Sequence, residues 1–175
     1  MVDPRIGRFA GPVAAFAGMV AVIMGTAAVL FARKIGFDTG HIQAFYLGAE
    51  ATFAPPRSLA GLLEVAVPHL LAIPMLLFVT LHLVAFVGGV RRRPFAIAAG
   101  ITFACAAVVI AAGFVIRFAW PGLAPIKIAA FLGLEGTMLV WLGLLVAAIT
   151  GSEAAPPRAA RSAPATSPGG SPRSR

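Results

Sequence analysis

"PHLLAIPMLLFVTLHL", residues 68–83, is apolar enough to lie in lipid, yet it carries two histidines, His69 and His82. The apolar run that holds it extends over residues 64–88. At helical rise a run of about 20 residues crosses the ~30 Å hydrocarbon core of a bilayer. Three more runs reach that length, at about residues 9–32, 95–116 and 128–148. The first follows Arg5 and Arg8 as a signal peptide would. Its apolar part is too long for one and continues into Arg33 and Lys34, so it reads as a membrane anchor.

Composition agrees with four spans. The chain is 59% hydrophobic and 11% charged, with a mean hydropathy of +0.93, which is the profile of an integral membrane protein. The formal charge of +8 does not mark a nucleic-acid surface, because the basic residues cluster at the ends of apolar runs and in the C-terminal tail. In a four-span layout Arg5, Arg8, Arg91, Arg92, Arg93, Arg158, Arg161, Arg173 and Arg175 share one side. Arg33, Lys34, Arg57, Arg117 and Lys127 share the other. The richer side is expected in the cytoplasm of a bacterial-type inner membrane, with both termini inside and with Tyr46 and Trp120 at the outer interface. Residues 151–175, rich in Ala, Pro and Ser, read as a disordered cytoplasmic tail following a membrane domain of residues 1–150. Cys105 lies inside an apolar run, and there is no CxxCH for covalent haem attachment.

The first outer connection is too long for a turn. In "DTGHIQAFYLGAEATF" the residues Ile42, Phe45, Tyr46, Ala49 and Phe53 follow helical spacing, which predicts an amphipathic helix over about 39–53 on the outer face, its apolar side toward the bilayer. Asp38 or Thr39 caps it, "APPRS" ends it, and Ser58 caps the following helix. The expected fold is an all-α, integral membrane four-helix bundle with an outer-face amphipathic helix.

His69 and His82 are thirteen positions apart, ~20 Å along a helix axis. That step resembles the di-haem b-type cytochromes, in which one membrane helix offers a histidine to a haem in each leaflet. The resemblance covers one helix of four. It implies haem b held by histidine and electron exchange with quinone or a redox partner. Two departures matter. The spacing turns His82 roughly 140° away from His69 at ~100° per residue, with Pro74 between them to absorb part of the mismatch. Two bis-histidine haems also need four histidines, and the chain has three. The third, His41, sits on the outer helix, which should fold back over the bundle toward His69. A His41–His69 pair would hold one outer haem, leaving His82 to pair with Met24, Met138 or another subunit's ligand.

Two carboxylates add proton chemistry. Glu135, about ten residues into the fourth run, falls near the bilayer middle, where a charge is costly unless neutral, paired or wetted. Glu64 shares a helix stripe with Leu71, Met75 and His82 and lies close to His69 in sequence. An acid beside a histidine can take the protons that a quinol releases. Each residue also has a plainer use: Glu64 as an interfacial charge near Arg57, the histidines as interhelical hydrogen-bonding groups. Gly11, Gly18 and Gly25, like Gly136 and Gly143, recur every seven positions and make small faces, used most often for helix packing and otherwise for a porphyrin edge. His41, Glu50, Glu64 and His69 form a rival metal set without tight ligand spacing. Hydrolase and nucleotide motifs (GxSxG, HExxH, Walker A) are absent. The sequence therefore points to an electron-transfer subunit of a hetero-oligomeric membrane complex, in contact with lipid, binding haem b and exchanging electrons with quinone. The alternative is a cofactor-free structural or assembly subunit.

Overall fold

The computed structural model describes residues 9–50, 53–87 and 91–153. Five helices account for nearly all of them: α1 (Ala10–Lys34), α2 (Thr39–Leu47), α3 (Leu59–Val87), α4 (Arg92–Phe118) and α5 (Ala124–Glu153), with a 3-10 turn at Pro121–Leu123. Four are long and apolar enough to cross a membrane, and the protein is an all-α integral membrane bundle. Lipid dictates this architecture, because a helix satisfies its own backbone polar groups where no water can. The same solvent explains why large apolar side chains such as Leu71 and Phe86 point outward, 72% and 76% exposed.

The spans exceed the apolar runs at their ends. Each of α3, α4 and α5 starts three to five residues before its predicted run, because helix propensity carries the backbone past the hydrocarbon boundary. Arg92 and Arg93 thus belong to the first turn of α4 rather than to a loop. At the other end α5 continues to Glu153, three residues into the segment read as tail. The remainder of that segment lies outside the described residues.

Local chemistry fixes the connections. Two amides, those of Ile35 and Gly36, donate to the Phe31 carbonyl at the end of α1, and Gly36 takes a φ of 78°. Asp38 then caps α2, its carboxylate accepting from the His41 amide at 2.8 Å. α2 stops at Leu47, six residues short of the predicted end. Gly48 breaks it with a φ of 87°, and a Cβ there would lie 2.6 Å from the Ala54 carbonyl oxygen, so only glycine fits. The chain doubles back through an Ala49–Ala54 bridge, which leaves Phe53 95% exposed. Ser58 starts α3 by accepting from the Gly61 amide at 3.1 Å.

α5 is the hub. It packs on α1, α3 and α4, and α3 also packs on α4. One buried cluster, including Val20, Leu77, Leu81, Ala106, Met138, Trp141 and Leu145, fills the half of the bundle away from α2. A polar tie crosses it, the Trp141 indole donating to the Thr102 hydroxyl at 3.1 Å. A second cluster joins α2 to the bundle through Ile42, Tyr46, Leu62, Ala112, Ile116 and Ala124. α2 therefore does not float with its apolar side on lipid. Its apolar side is buried against α4 and α5, and Tyr46 is a core residue rather than an interfacial one, while Trp120 is exposed at the α4–α5 turn.

The recurring glycines are not the packed seams. A Cβ at Gly11, Gly18, Gly25, Gly136 or Gly143 would meet nothing within 4 Å, whereas one at Gly113 would lie 3.1 Å from the Tyr46 ring and one at Gly133 3.0 Å from Cys105 Sγ. Gly113→Val should thus dislodge α2 and destabilise the protein by about 1–3 kcal/mol, the usual cost of overpacking. Gly18→Ala should be neutral. Thermal unfolding of both variants in detergent checks this, and equal stabilities would contradict the packing described.

Candidate functional site

Chain order makes α3 and α5 run the same way, both starting at the end of the bundle capped by α2. His69 is ten residues into α3 and Glu135 eleven residues into α5, so each lies ~15 Å below its helix start. Both border one cleft of about 410 Å³. α1 and α3 form its sides, yet they have little direct contact with each other. The cleft is therefore a slot between α1 and α3, floored by α4 and α5, roofed by α2 and opening sideways toward lipid. Its walls are mostly apolar, and Phe31 and Phe131 stack within it, centroids 3.9 Å apart and planes 9° from parallel.

The three histidines separate. His69 borders the cleft, and its Nδ1 lies 2.6 Å from the Val65 carbonyl oxygen. A carbonyl only accepts, so Nδ1 carries a proton, and in the neutral ring Nε2 keeps the open lone pair. The group that orients this ring is a backbone carbonyl, not Glu64. His41 lies outside the cleft, exposed, with its ring 3.4 Å from the position of a Gly36 Cβ. His82 is exposed on the face of α3 that also carries Glu64, Leu71 and Met75, and it stacks on Phe78 with centroids 5.6 Å apart. The predicted rotation between His69 and His82 is what divides them. The structure brings together neither His41 with His69 nor Glu64 with the cleft. The metal set fares the same: among the described residues no three His, Cys, Asp or Glu side chains gather closely enough to hold an ion. Met24 and Met138, considered as partners for His82, border the cleft with His69 instead.

Glu135 is half-buried and has no hydrogen-bond or ion-pair partner among the described residues. The cleft also gathers residues that were read only as boundary markers. Lys127 is 4% exposed, its Nζ donates to the Val109 carbonyl at 2.7 Å, and it sits 5.5 Å from the centroid of the Tyr46 ring. Lys34 and Arg57 border the same roofed end. Arg57 lies 4.3 Å over the Phe45 ring, and its carbonyl accepts from Arg117 Nε at 2.9 Å. Lys127 was legible in principle. It starts the stripe Lys127–Phe131–Leu134–Met138–Trp141–Leu145 at helical steps, but a span begun at residue 128 leaves it outside by one position.

Residues 36–156 match the family Aq_1264_TM, a transmembrane helical domain. The match covers well over half of the chain, and the chain belongs to this family. It begins just after α1, so the cleft lies between the shared domain and the helix that precedes it. No curated protein and no solved structure matches.

Tyr46 reports on the roof. Burial disfavours its phenolate and pushes its pKa up to about 12, with Arg57 pulling weakly the other way. It is the chain's one tyrosine, so phenolate absorbance reads it alone. The absorbance should titrate near pH 12 in the folded protein and near the ordinary value of 10.0 after denaturation. Between those values the folded state holds the extra proton, so stability should fall as pH rises through that window. A folded-state midpoint at the ordinary value would mean that α2 does not bury this ring.

Proposed function

We propose that this member of the Aq_1264_TM family is a redox subunit of a membrane complex and that its lateral cleft takes the ring of a quinone or quinol from the lipid phase. One observation carries the reading: a mostly apolar slot, open between α1 and α3, holds a histidine with a free Nε2 and an unpartnered carboxyl on two parallel helices. Sites for small ligands have this make-up, an apolar lining with few polar groups and a volume of roughly 300–1,000 Å³. A quinol that is oxidised gives up two electrons and two protons. His69 Nε2 takes one proton from a ring hydroxyl, and Glu135 is the second exchanging group. The electrons go to a one-electron carrier in a partner subunit. The stacked Phe31–Phe131 pair adds its edges to the apolar lining. The orientation proposed places the α2 end on the outer side and both termini in the cytoplasm, as the basic residues favour.

A single haem b is the second reading. His69 Nε2 and the thioethers of Met24 and Met138 border one cleft, and histidine with methionine is a donor set that suits haem iron. A haem bound there would supply one-electron transfer. A second haem has no such set, because His82 lies on the opposite, exposed face.

The test combines colour with turnover. Membranes containing the protein and its complex should oxidise a quinol analogue or reduce a quinone analogue, and His69→Leu or Glu135→Gln should lower the rate about 10²-fold or more while the fold survives. Visible haem absorption that is lost in His69→Leu would favour the haem reading. A colourless protein, expressed with ample haem, that binds no quinone analogue would leave only a cofactor-free assembly role. Reporter fusions after Arg93 and after Gly151 should both report cytoplasm, and a periplasmic signal at either would reverse the orientation.

A further inference from the structure

Lys127 ties α5 to α4 through a single hydrogen bond and sits over the Tyr46 ring, which leaves most of its donor capacity over. An ammonium group has three donors. Lys127 Nζ gives one to the Val109 carbonyl, and no carboxylate pairs with it among the described residues. Its carboxyl neighbour in the cleft, Glu135, is eight residues along the same helix, ~12 Å away along the axis, too far for an ion pair. The other polar groups that border the cleft are Lys34 from α1, Arg57 from the loop before α3 and the Tyr46 phenol from α2 at this end, with His69 of α3 deeper, at the level of Glu135. α4 contributes the Val109 carbonyl and apolar side chains. The roofed end of the slot is thus cationic and short of anions, with Lys127 buried and Lys34 and Arg57 exposed. Burying a cation is costly unless a partner satisfies it, and a methionine here would pack without that cost.

We infer that the cleft is selective for a ring that carries a negative oxygen, an ionised ring hydroxyl or the anionic reduced form of a quinone, and that Lys127 is the residue that binds this oxygen. The inference rests on the quinone reading and narrows it. With one donor held by the Val109 carbonyl, the ammonium is positioned before the ligand arrives, and its two free donors can reach into the cleft. Lys34 and Arg57 add long-range attraction at the mouth. The Tyr46 ring, over which the ammonium sits, keeps water from screening the charge. The apolar lining is neutral and does not tell a charged ring from an uncharged one by attraction. Selectivity for charge therefore falls on Lys127.

The experiment uses the full chain in nanodiscs of zwitterionic lipid, so that no anionic lipid competes. Two probes are titrated, a naphthoquinone and its ring-hydroxylated analogue, whose hydroxyl is ionised at neutral pH. Quenching of the tryptophan emission reads binding. The wild type should bind the hydroxylated probe about tenfold tighter, the effect of one charge-assisted hydrogen bond in a partly dry site. Lys127→Met should lose most of that preference, weakening the hydroxylated probe far more than the unsubstituted one, and Lys127→Arg should retain the preference. Phenolate titration of Tyr46 near pH 12 in each variant certifies that the roof is intact. Equal binding of the two probes by the wild type, or an undiminished preference in Lys127→Met, would overturn the inference and leave the quinone reading standing. If neither probe binds, the quinone reading itself falls.

Discussion

The Tyr46 ring lies against Gly113, and much of the molecule's usable geometry follows from that contact. With no Cβ on α4 at this point, an aromatic ring can sink between α2 and the bundle, 5% exposed. The buried ring brings Ile42 in with it and pins α2 across the ends of α4 and α5, and Gln43 adds a hydrogen bond to the Pro121 carbonyl at 3.2 Å. α2 thereby becomes a roof. Beneath it the ammonium of Lys127 is kept from water, and the space between α1 and α3 becomes a slot closed at one end. A larger residue at position 113 would turn the roof into a loosely attached interfacial helix, which is how the amphipathic pattern reads by itself.

The second constraint is the solvent. In lipid there is little hydrophobic drive to press one apolar helix on another, so helices stay apart unless packing or polar ties bring them together. α4 and α5 have such ties, in Gly133 against Cys105 and in Trp141 to Thr102. Between α1 and α3 the bundle lacks comparable contact, and the slot is the result. A lateral opening of this kind suits a ligand that is already dissolved in the membrane. Both groups proposed to exchange protons stand on helices that the hub holds firmly, which is what a positioned acid–base pair requires.

Much of this was legible from residues alone. Four apolar runs of spanning length fix the membrane bundle, and Asp38 and Ser58 cap the helices assigned to them. The rotation of His82 away from His69 follows from thirteen residues at helical pitch, and the structure puts the two histidines on different faces. Other features depend on contacts that no local pattern carries. α2 ends early because Gly48 meets the Ala54 carbonyl, a contact that exists only once the chain has doubled back. Tyr46 looks interfacial until Gly113 makes room for it. His41 looks poised toward His69, but its ring packs beside Gly36 and does not line the cleft. Lys127 was missed because a charge at the edge of an apolar run ordinarily marks the run's end.

Light-driven labelling tests the central claim, a ligand slot between α1 and α3, most directly. A photoreactive naphthoquinone, activated in membranes that contain the protein, should attach to side chains that line the slot, among them Ile23 and Ala27 on α1 and Ile73 on α3. Excess unlabelled naphthoquinone should protect them. Attachment to the exposed α3 face at Leu71, Met75 and His82, or labelling that excess ligand does not reduce, would contradict the account.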